Sequence, residues 1–236
     1  MQVSYSANWV YLRSTGLGYH TMGPWYLDGA RLQAFPNFPA NQNVLYRLPR
    51  SPVVASSRTL TPAGPIGYFV DGVAVFDNRD TFSYTNAAGA DAQPGGAMPG
   101  PGGGGQGDGI WNRDAWVNEG VTFDSANAHQ AGANYHYHAN TPALRAMLGD
   151  NVEYSATTKS YVEKSTPPTA HSPILGWMAD GYPVYGPYGY SSPMDPTSTV
   201  RRMISGYVKR DGSSGTANLV ATGRTTLPAW AARAQG

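Results

Sequence analysis

The 236-residue chain has no cysteine, so it offers neither a thiolate nucleophile nor the soft sulfur ligand of a Cu(I) carrier. By itself this leaves the compartment open, because cytosolic enzymes and exported proteins alike can lack cysteine. Charge is scarce too. Asp, Glu, Lys and Arg make up 13% of the chain, about half the usual share of roughly 25%, which leaves little material for salt-bridged helical surface. The balance of 16 basic against 15 acidic residues is near neutral, and the cations are scattered apart from short pairs such as Arg201-Arg202 and Lys209-Arg210. That pattern offers no stripe to a phosphate backbone, so nucleic acid is not an expected partner. No apolar run approaches the roughly 18–20 residues of a membrane span, and no basic-then-apolar leader follows Met1. No membrane span is therefore expected, and a mature or recombinant start, any targeting segment being absent, is the expectation. Sustained helical periodicity is rare as well: only 142–148 (PALRAML) and 227–234 (LPAWAARA) could wind a turn or two.

What is abundant is turn chemistry, with 29 glycines and 19 prolines. Short runs of β-branched and aromatic residues lie between these turn signals, at 6–12, 43–48, 67–70, 73–76, 121–123 and 202–208. The pattern predicts a mainly β fold, a β-sandwich or open barrel built from hairpins with one or two short helices. Residues 86–109 are low in complexity and Gly-rich; lacking the Gly-x-Gly-x-x-Gly and P-loop lysine signatures, they read as a surface insertion loop, not a phosphate cradle. Strand-like sequence resumes at Ile110-Trp111, so one domain over 1–236 is expected. The low Lys content, with many Ser, Thr, Ala, Gly, Asn and Tyr, favours a secreted, periplasmic or cell-surface location.

An internal echo sharpens the fold reading. Pro65 to Phe76 (PIGYFVDGVAVF) resembles Pro173 to Tyr185 (PILGWMADGYPVY), each with an Asp-Gly pair between two apolar runs. Asp-Gly suits a two-residue type I′ turn, which predicts two β-hairpins turning at Asp71-Gly72 and Asp180-Gly181.

The histidines concentrate the chemistry. Four of the five, His129, His136, His138 and His171, fall in one region, and two lie in Tyr135-His136-Tyr137-His138. On an extended strand His136 and His138 share one face at a spacing that lets two imidazoles bind one ion, while Tyr135 and Tyr137 face the other way. Neutral imidazole suits Zn²⁺, Cu²⁺ and iron alike. His129, across a Gly-containing turn, is the candidate third ligand and His171 the fourth; His20 stands apart. Asp124 is a candidate ligand, or the acceptor that fixes an imidazole tautomer. Asp180 is the other carboxylate near these motifs, and its place in an Asp-Gly pair makes it foremost a turn residue. Tyr135 and Tyr137 read as packing residues beside the site. No Gly-x-Ser-x-Gly or His-Glu-x-x-His is present, so neither a serine-hydrolase elbow nor a zincin helix is expected.

The run Asp124…His129…Tyr135-His136-Tyr137-His138…Pro142, followed by His171-Ser172-Pro173-Ile174-Leu175-Gly176 and Asp180-Gly181-Tyr182-Pro183-Val184-Tyr185-Gly186-Pro187, resembles the YHYH family of exported or surface-associated proteins. The likeness extends to Gly23-Pro24-Trp25, Pro65-Ile66-Gly67, Asp71-Gly72 and Ile110-Trp111. It implies metal binding through the histidines but supplies no reaction. Relatives often carry cysteines where Ala126 and Ala143 stand, which implies a lost disulfide worth typically about 3 kcal/mol. They also commonly continue past the point matching Gly236, so a shortened chain is expected.

Two functional readings follow. The first is an exported protein holding a transition metal, copper or zinc before iron, at His136 and His138 with His129 and His171, and acting as a hydrolase or oxidoreductase on an unspecified small molecule. The second is a non-catalytic surface module that contacts a glycan or assembles through its aromatics, its histidines serving as a hydrogen-bond network. A Ca²⁺ site at Asp124 and Asp180 is the weakest reading, because acidic residues are few and dispersed.

Overall fold

A computed structural model describes residues 1–57, 59, 61, 64–85, 90–91 and 112–205. The chain groups into two compact units: Met1–Leu60 with Pro65–Phe76 and Val121–Ile204, and Thr61–Gly64 with Asp77–Gly120 and Ser205–Gly236. In the first, β1 (Gln2–Tyr5), β2 (Trp9–Ser14) and β3 (Val44–Pro49) form an antiparallel three-stranded sheet. Next come β4 (Pro65–Phe69) and β5 (Ala74–Phe76). The second unit holds β6 (Arg79–Thr85), β7 (Ala90–Asp91), β8 (Asn112–Asp114) and α1 (Ala115–Glu119), with Asp114 capping α1 by accepting from the Trp116 backbone N–H at 2.8 Å. Back in the first unit are β9 (Ala128–Ala131), β10 (Asn134–Tyr137), α2 (Pro142–Met147), the hairpin β11 (Val152–Ser155) and β12 (Ser160–Glu163), then β13 (Ile174–Met178), β14 (Pro183–Tyr185), β15 (Tyr188–Tyr190) and β16 (Val200–Arg202).

The centre of the first unit is a six-stranded open sheet of order β14-β13-β4-β5-β10-β9. The fold is mainly β and the described strands close no barrel. Both halves of the internal echo form hairpins, β4–β5 and β13–β14, and they meet edge to edge through antiparallel β4–β13 pairing. The turns differ from the expected type I′. Only Gly72 (φ 86°) and Gly181 (φ 91°) take positive φ, while Asp71 and Asp180 do not. Instead each Asp accepts a backbone N–H two residues on, from Val73 at 3.1 Å and Tyr182 at 3.2 Å. The loop is thus a longer turn stabilised by its Asp side chain, with glycine supplying the one left-handed position.

Strand alternation sends each face of this sheet into a different core. Phe69, Tyr135, Tyr137 and Leu175 pack with Trp25, Val73, Ala126, Ala128, Ala143 and Leu144 of α2. On the opposite face Tyr68 and Ala74 pack with Leu12 and Leu48 of β2 and β3, with Phe76 alongside. The two sheets thus share one core, as in a sandwich. Where the strands touch most closely, glycine is needed: a methyl group on Gly176 would collide with the Tyr68 carbonyl and come within 2.5 Å of Phe69 Cα.

Two sequence expectations shift. Residues 121–123, expected as a strand, fall instead on a 3-10 turn (Gly120–Thr122) and the loop after it; β-branched residues make a strand only where a partner strand lies alongside. Of the run expected at 202–208, only Arg202 is in a strand, which spans Val200–Arg202; 203–205 are irregular and 206–208 lie outside the described part. The helix at 142–148 forms as α2, one residue shorter. The tail 227–234 and the Gly-rich loop, apart from β7, also lie outside the described residues.

Candidate metal centre

The site begins with the β9–β10 hairpin. Ala131 pairs with Asn134, leaving Gly132-Ala133 as a two-residue loop, and that register places His129 directly across from His136. His138, two residues further on, falls on the same face. Three imidazoles therefore meet, with ring centroids 4.7 Å (His129–His136), 4.7 Å (His136–His138) and 5.4 Å (His129–His138) apart. All three are buried, and one ligand atom from each lies within 4.8 Å of the others.

Ring chemistry fits an ion. His136 Nδ1 lies 2.9 Å from the Asn134 carbonyl, which can only accept, so Nδ1 carries the hydrogen and the neutral ring presents its Nε2 lone pair. That Nε2 is 3.0 Å from His138 Nε2. Two nitrogens each about 2.0–2.1 Å from one metal ion stand about 2.9–3.4 Å apart for bond angles from square to tetrahedral, so the spacing matches a shared ligand pair. His129 Nδ1 is engaged by Thr122 Oγ1 at 2.7 Å, the kind of outer contact that orients a ligating imidazole. Aromatic rings wall the cluster: Phe76 stacks on His136 at 3.8 Å between centroids, and Phe123 lies parallel to His138 at 5.8 Å and edge-on to His129 at 4.9 Å.

Behind the same strand lies a second network. The Tyr135 hydroxyl donates to Asp124 Oδ2 at 2.8 Å and the Tyr137 hydroxyl to Asp71 Oδ2 at 2.7 Å. Having given its hydrogen to Asp124, Tyr135 accepts from His20 Nε2 at 2.9 Å, which leaves His20 Nδ1 buried without a partner. Burial pushes both carboxyls above the usual carboxylate range, although Tyr137 and Val73 at Asp71, and Gly23, Tyr135 and Ala126 at Asp124, pull the other way. Burial likewise lowers His20, against the attraction of Asp124 and Asp71, and raises both tyrosines.

The structure thus brings together His129, His136 and His138 and leaves the other candidates elsewhere. Among the described residues no carboxylate joins the group. Asp124 sits on the tyrosine face, also accepting from the Gly23 and Ala128 backbone, and the acceptor fixing the His136 tautomer is the Asn134 carbonyl instead. His171 is not in the cluster either; its Nδ1 contacts the Ser172 carbonyl at 2.7 Å and its ring packs against Tyr185 and Tyr190. Asp180 holds the exposed β13–β14 turn. Ala126 and Ala143, the two positions at which a lost disulfide was expected, are both fully buried in one core cluster. Sequence reasoning did not anticipate Asp71, Phe76, Phe123 or Thr122 as neighbours. Asp71 lies 66 residues from Tyr137 in sequence, and the parallel β5–β10 pairing brings the β4–β5 turn that carries it alongside β10. For His129 a signal existed: a two-residue loop at 132–133 forces the 129–136 pairing.

Among described residues, no helix is long and apolar enough to cross a membrane. Comparison with curated proteins and with solved structures finds no match. The family model described as "YHYH protein" matches residues 45–231, a span containing the histidine hairpin, both echo hairpins and the tyrosine–carboxylate pairs. The chain belongs to the YHYH protein family.

Proposed function

We propose that this protein binds one transition metal ion through His129, His136 and His138, and that it does so as an exported protein. The observation that carries the reading is the buried convergence of three imidazoles, with the His136 tautomer set by Asn134 so that Nε2 faces His138. An all-imidazole set favours copper or zinc, with iron also compatible, over the hard cations that prefer oxygen. Such an ion would polarise a carbonyl or activate water, or in a redox metal's case engage oxygen. Asn134 orients His136, Thr122 orients His129, and the Phe76 and Phe123 rings keep bulk water from the nitrogens. The low-charge, Lys-poor composition supports export. His171 remains a candidate in this reading only as a contributor to the aromatic cluster with Tyr185 and Tyr190.

The test is elemental analysis of untagged protein together with thermal melts on adding Zn²⁺ or Cu²⁺. Near-equimolar metal is expected, and an ion at 100 times its Kd stabilises by about 2.7 kcal/mol. His136→Ala/His138→Ala should lose the metal and keep the fold. A metal-free protein whose melting is unmoved by either ion rejects the proposal.

One observation favours a second reading. The 3.0 Å Nε2–Nε2 separation is also a hydrogen-bond distance, so the histidines could serve as a structural network in a non-catalytic surface module. In that case the double variant lowers stability without altering metal content.

A further inference from the structure

The first unit also carries an open groove of about 910 Å³ between the segment around 21–31, the loop around Asn127 and the β11–β12 hairpin, bordering the histidine cluster at Phe123, at the upper end of the volume typical of ligand sites. Its lining shares one unusual property. Four non-glycine residues take positive φ among the described residues, and three of them line this groove: Arg31 (58°), Asn127 (61°) and Lys159 (52°). For arginine and lysine the left-handed region is sterically disfavoured, and such strain gathers where a side chain must be presented to a ligand. Both cations are exposed.

The rest of the lining identifies the ligand. Tyr26, Tyr154 and Tyr161 border the groove; Tyr154 is 55% exposed and meets Tyr161 edge-to-face at 5.3 Å. Exposed tyrosine faces bind the flat apolar sides of sugar rings, and beside the Asn127 Nδ2–Asn140 carbonyl bond (2.7 Å) and the Arg145–Asn140 Oδ1 contact (3.4 Å), Asn127 Oδ1 can accept from and Asn140 Nδ2 donate to hydroxyls. The groove's own carboxylates are both already engaged by hydrogen bonds. Asp124 is buried and hydrogen-bonded to Tyr135 and three backbone N–H groups. Glu163 is held by both guanidinium nitrogens of Arg145. Two exposed cations are too few for a nucleic-acid backbone, yet enough for a carboxylate or two. We infer that this groove binds a short oligosaccharide bearing carboxylates, stacked on Tyr154 and held by Lys159 and by Arg31, whose guanidinium lies over the Tyr26 ring at 5.9 Å.

Isothermal titration of the full chain with an oligogalacturonate and with a neutral cello-oligosaccharide of equal length tests this. The acidic oligomer should bind more tightly, and its advantage should shrink with added salt. Tyr154→Ala should weaken both about tenfold. Arg31→Gln and Lys159→Gln should each cut the preference for the acidic oligomer about three- to fivefold while leaving the neutral one unchanged. Arg31 and Lys159 are exposed, so both Gln variants should melt at the parent's value, while Tyr154→Ala gives up its edge-to-face contact with Tyr161 and should melt slightly lower but remain folded. Absence of binding to the acidic oligomer at about 10 mM, equal affinity for the two oligomers, or binding that Tyr154→Ala leaves intact would each overturn the assignment. The groove shares Phe123 with the wall of the histidine cluster, so the titrations are run on metal-free and metal-loaded protein, and the preference for the acidic oligomer is expected in both.

Discussion

Arg145 offers the sharpest energetic test of the fold around the site. Its side chain is fully buried in α2, a position where an unpaired guanidinium could not survive. It donates to Asp150 Oδ2 at 2.6 Å, to Glu163 Oε1 at 2.6 Å and Oε2 at 3.1 Å, and to Asn140 Oδ1 at 3.4 Å. The two acidic partners differ. Asp150 has only 3% of its side chain exposed, whereas Glu163 has 38% and can return to water. Replacing Arg145 by Met fills the volume but strands the Asp150 carboxylate, left with Ser172 Oγ at 2.9 Å and the Asn151 N–H. Breaking a buried pair in this one-sided way costs about 3–5 kcal/mol, with the screened Glu163 contact adding about 0.2–1 kcal/mol. At about 2–4 °C per kcal/mol for a chain of this length, Arg145→Met should lower Tm by about 6–24 °C. Asp150→Asn placed on the Met variant should restore part of that loss, because it removes the stranded charge while keeping an acceptor for Ser172. Urea titration followed by fluorescence of the six tryptophans measures both steps. A loss below about 1 kcal/mol for the single variant, or no recovery in the double, would show that the buried ion pair does not hold α2 to the β11–β12 hairpin.

Further outcomes follow from the same geometry. Tyr137→Phe removes the hydroxyl that Asp71 accepts, at a cost of about 1.5–3 kcal/mol, and should leave metal content unchanged because the lost group faces away from the imidazoles; loss of metal in a folded Tyr137→Phe protein would contradict that division of faces. Asp71 and Asp124 have raised carboxyls in the folded state, so the native chain binds more protons than the unfolded one between the ordinary carboxylate value and the raised values. Stability from these groups is present below that window and falls as pH rises through it. Denaturation at a pH series should show a smaller fall for Asp71→Asn than for the parent. Glu163 behaves oppositely: burial would raise it, but Arg145 and Tyr188 hold it below the usual range, so its contribution is lost as pH falls through the lowered value, and Glu163→Gln should flatten the acid limb. Gly176→Ala should destabilise by about 1–3 kcal/mol or more, since the obstacle is the β4 backbone, which cannot rotate aside; a parent-like Tm would disprove the close approach of β13 to β4.

How much of this was legible in the chain depends on the range of the interaction. Local rules were enough for the alternation that separates His136 and His138 from Tyr135 and Tyr137, for α2 behind Pro142, and for two hairpins at the Asp-Gly pairs. Scarcity of charge and of helical period was enough for a mainly β fold. Local rules failed where a partner distant in sequence decides the outcome. Residues 121–123 have strand composition but no strand beside them, and Asp71 becomes the acceptor of Tyr137 only because β5 lies parallel to β10. His171 and Asp124 share sequence neighbourhood with the histidine hairpin, yet the chain carries one to an aromatic cluster and the other to the far face of β10. The sequence by itself determined which residues could share a face, because side-chain direction follows from a period of two. Only the tertiary structure decided which faces meet, because strand order is set by the joint burial of both sheet faces.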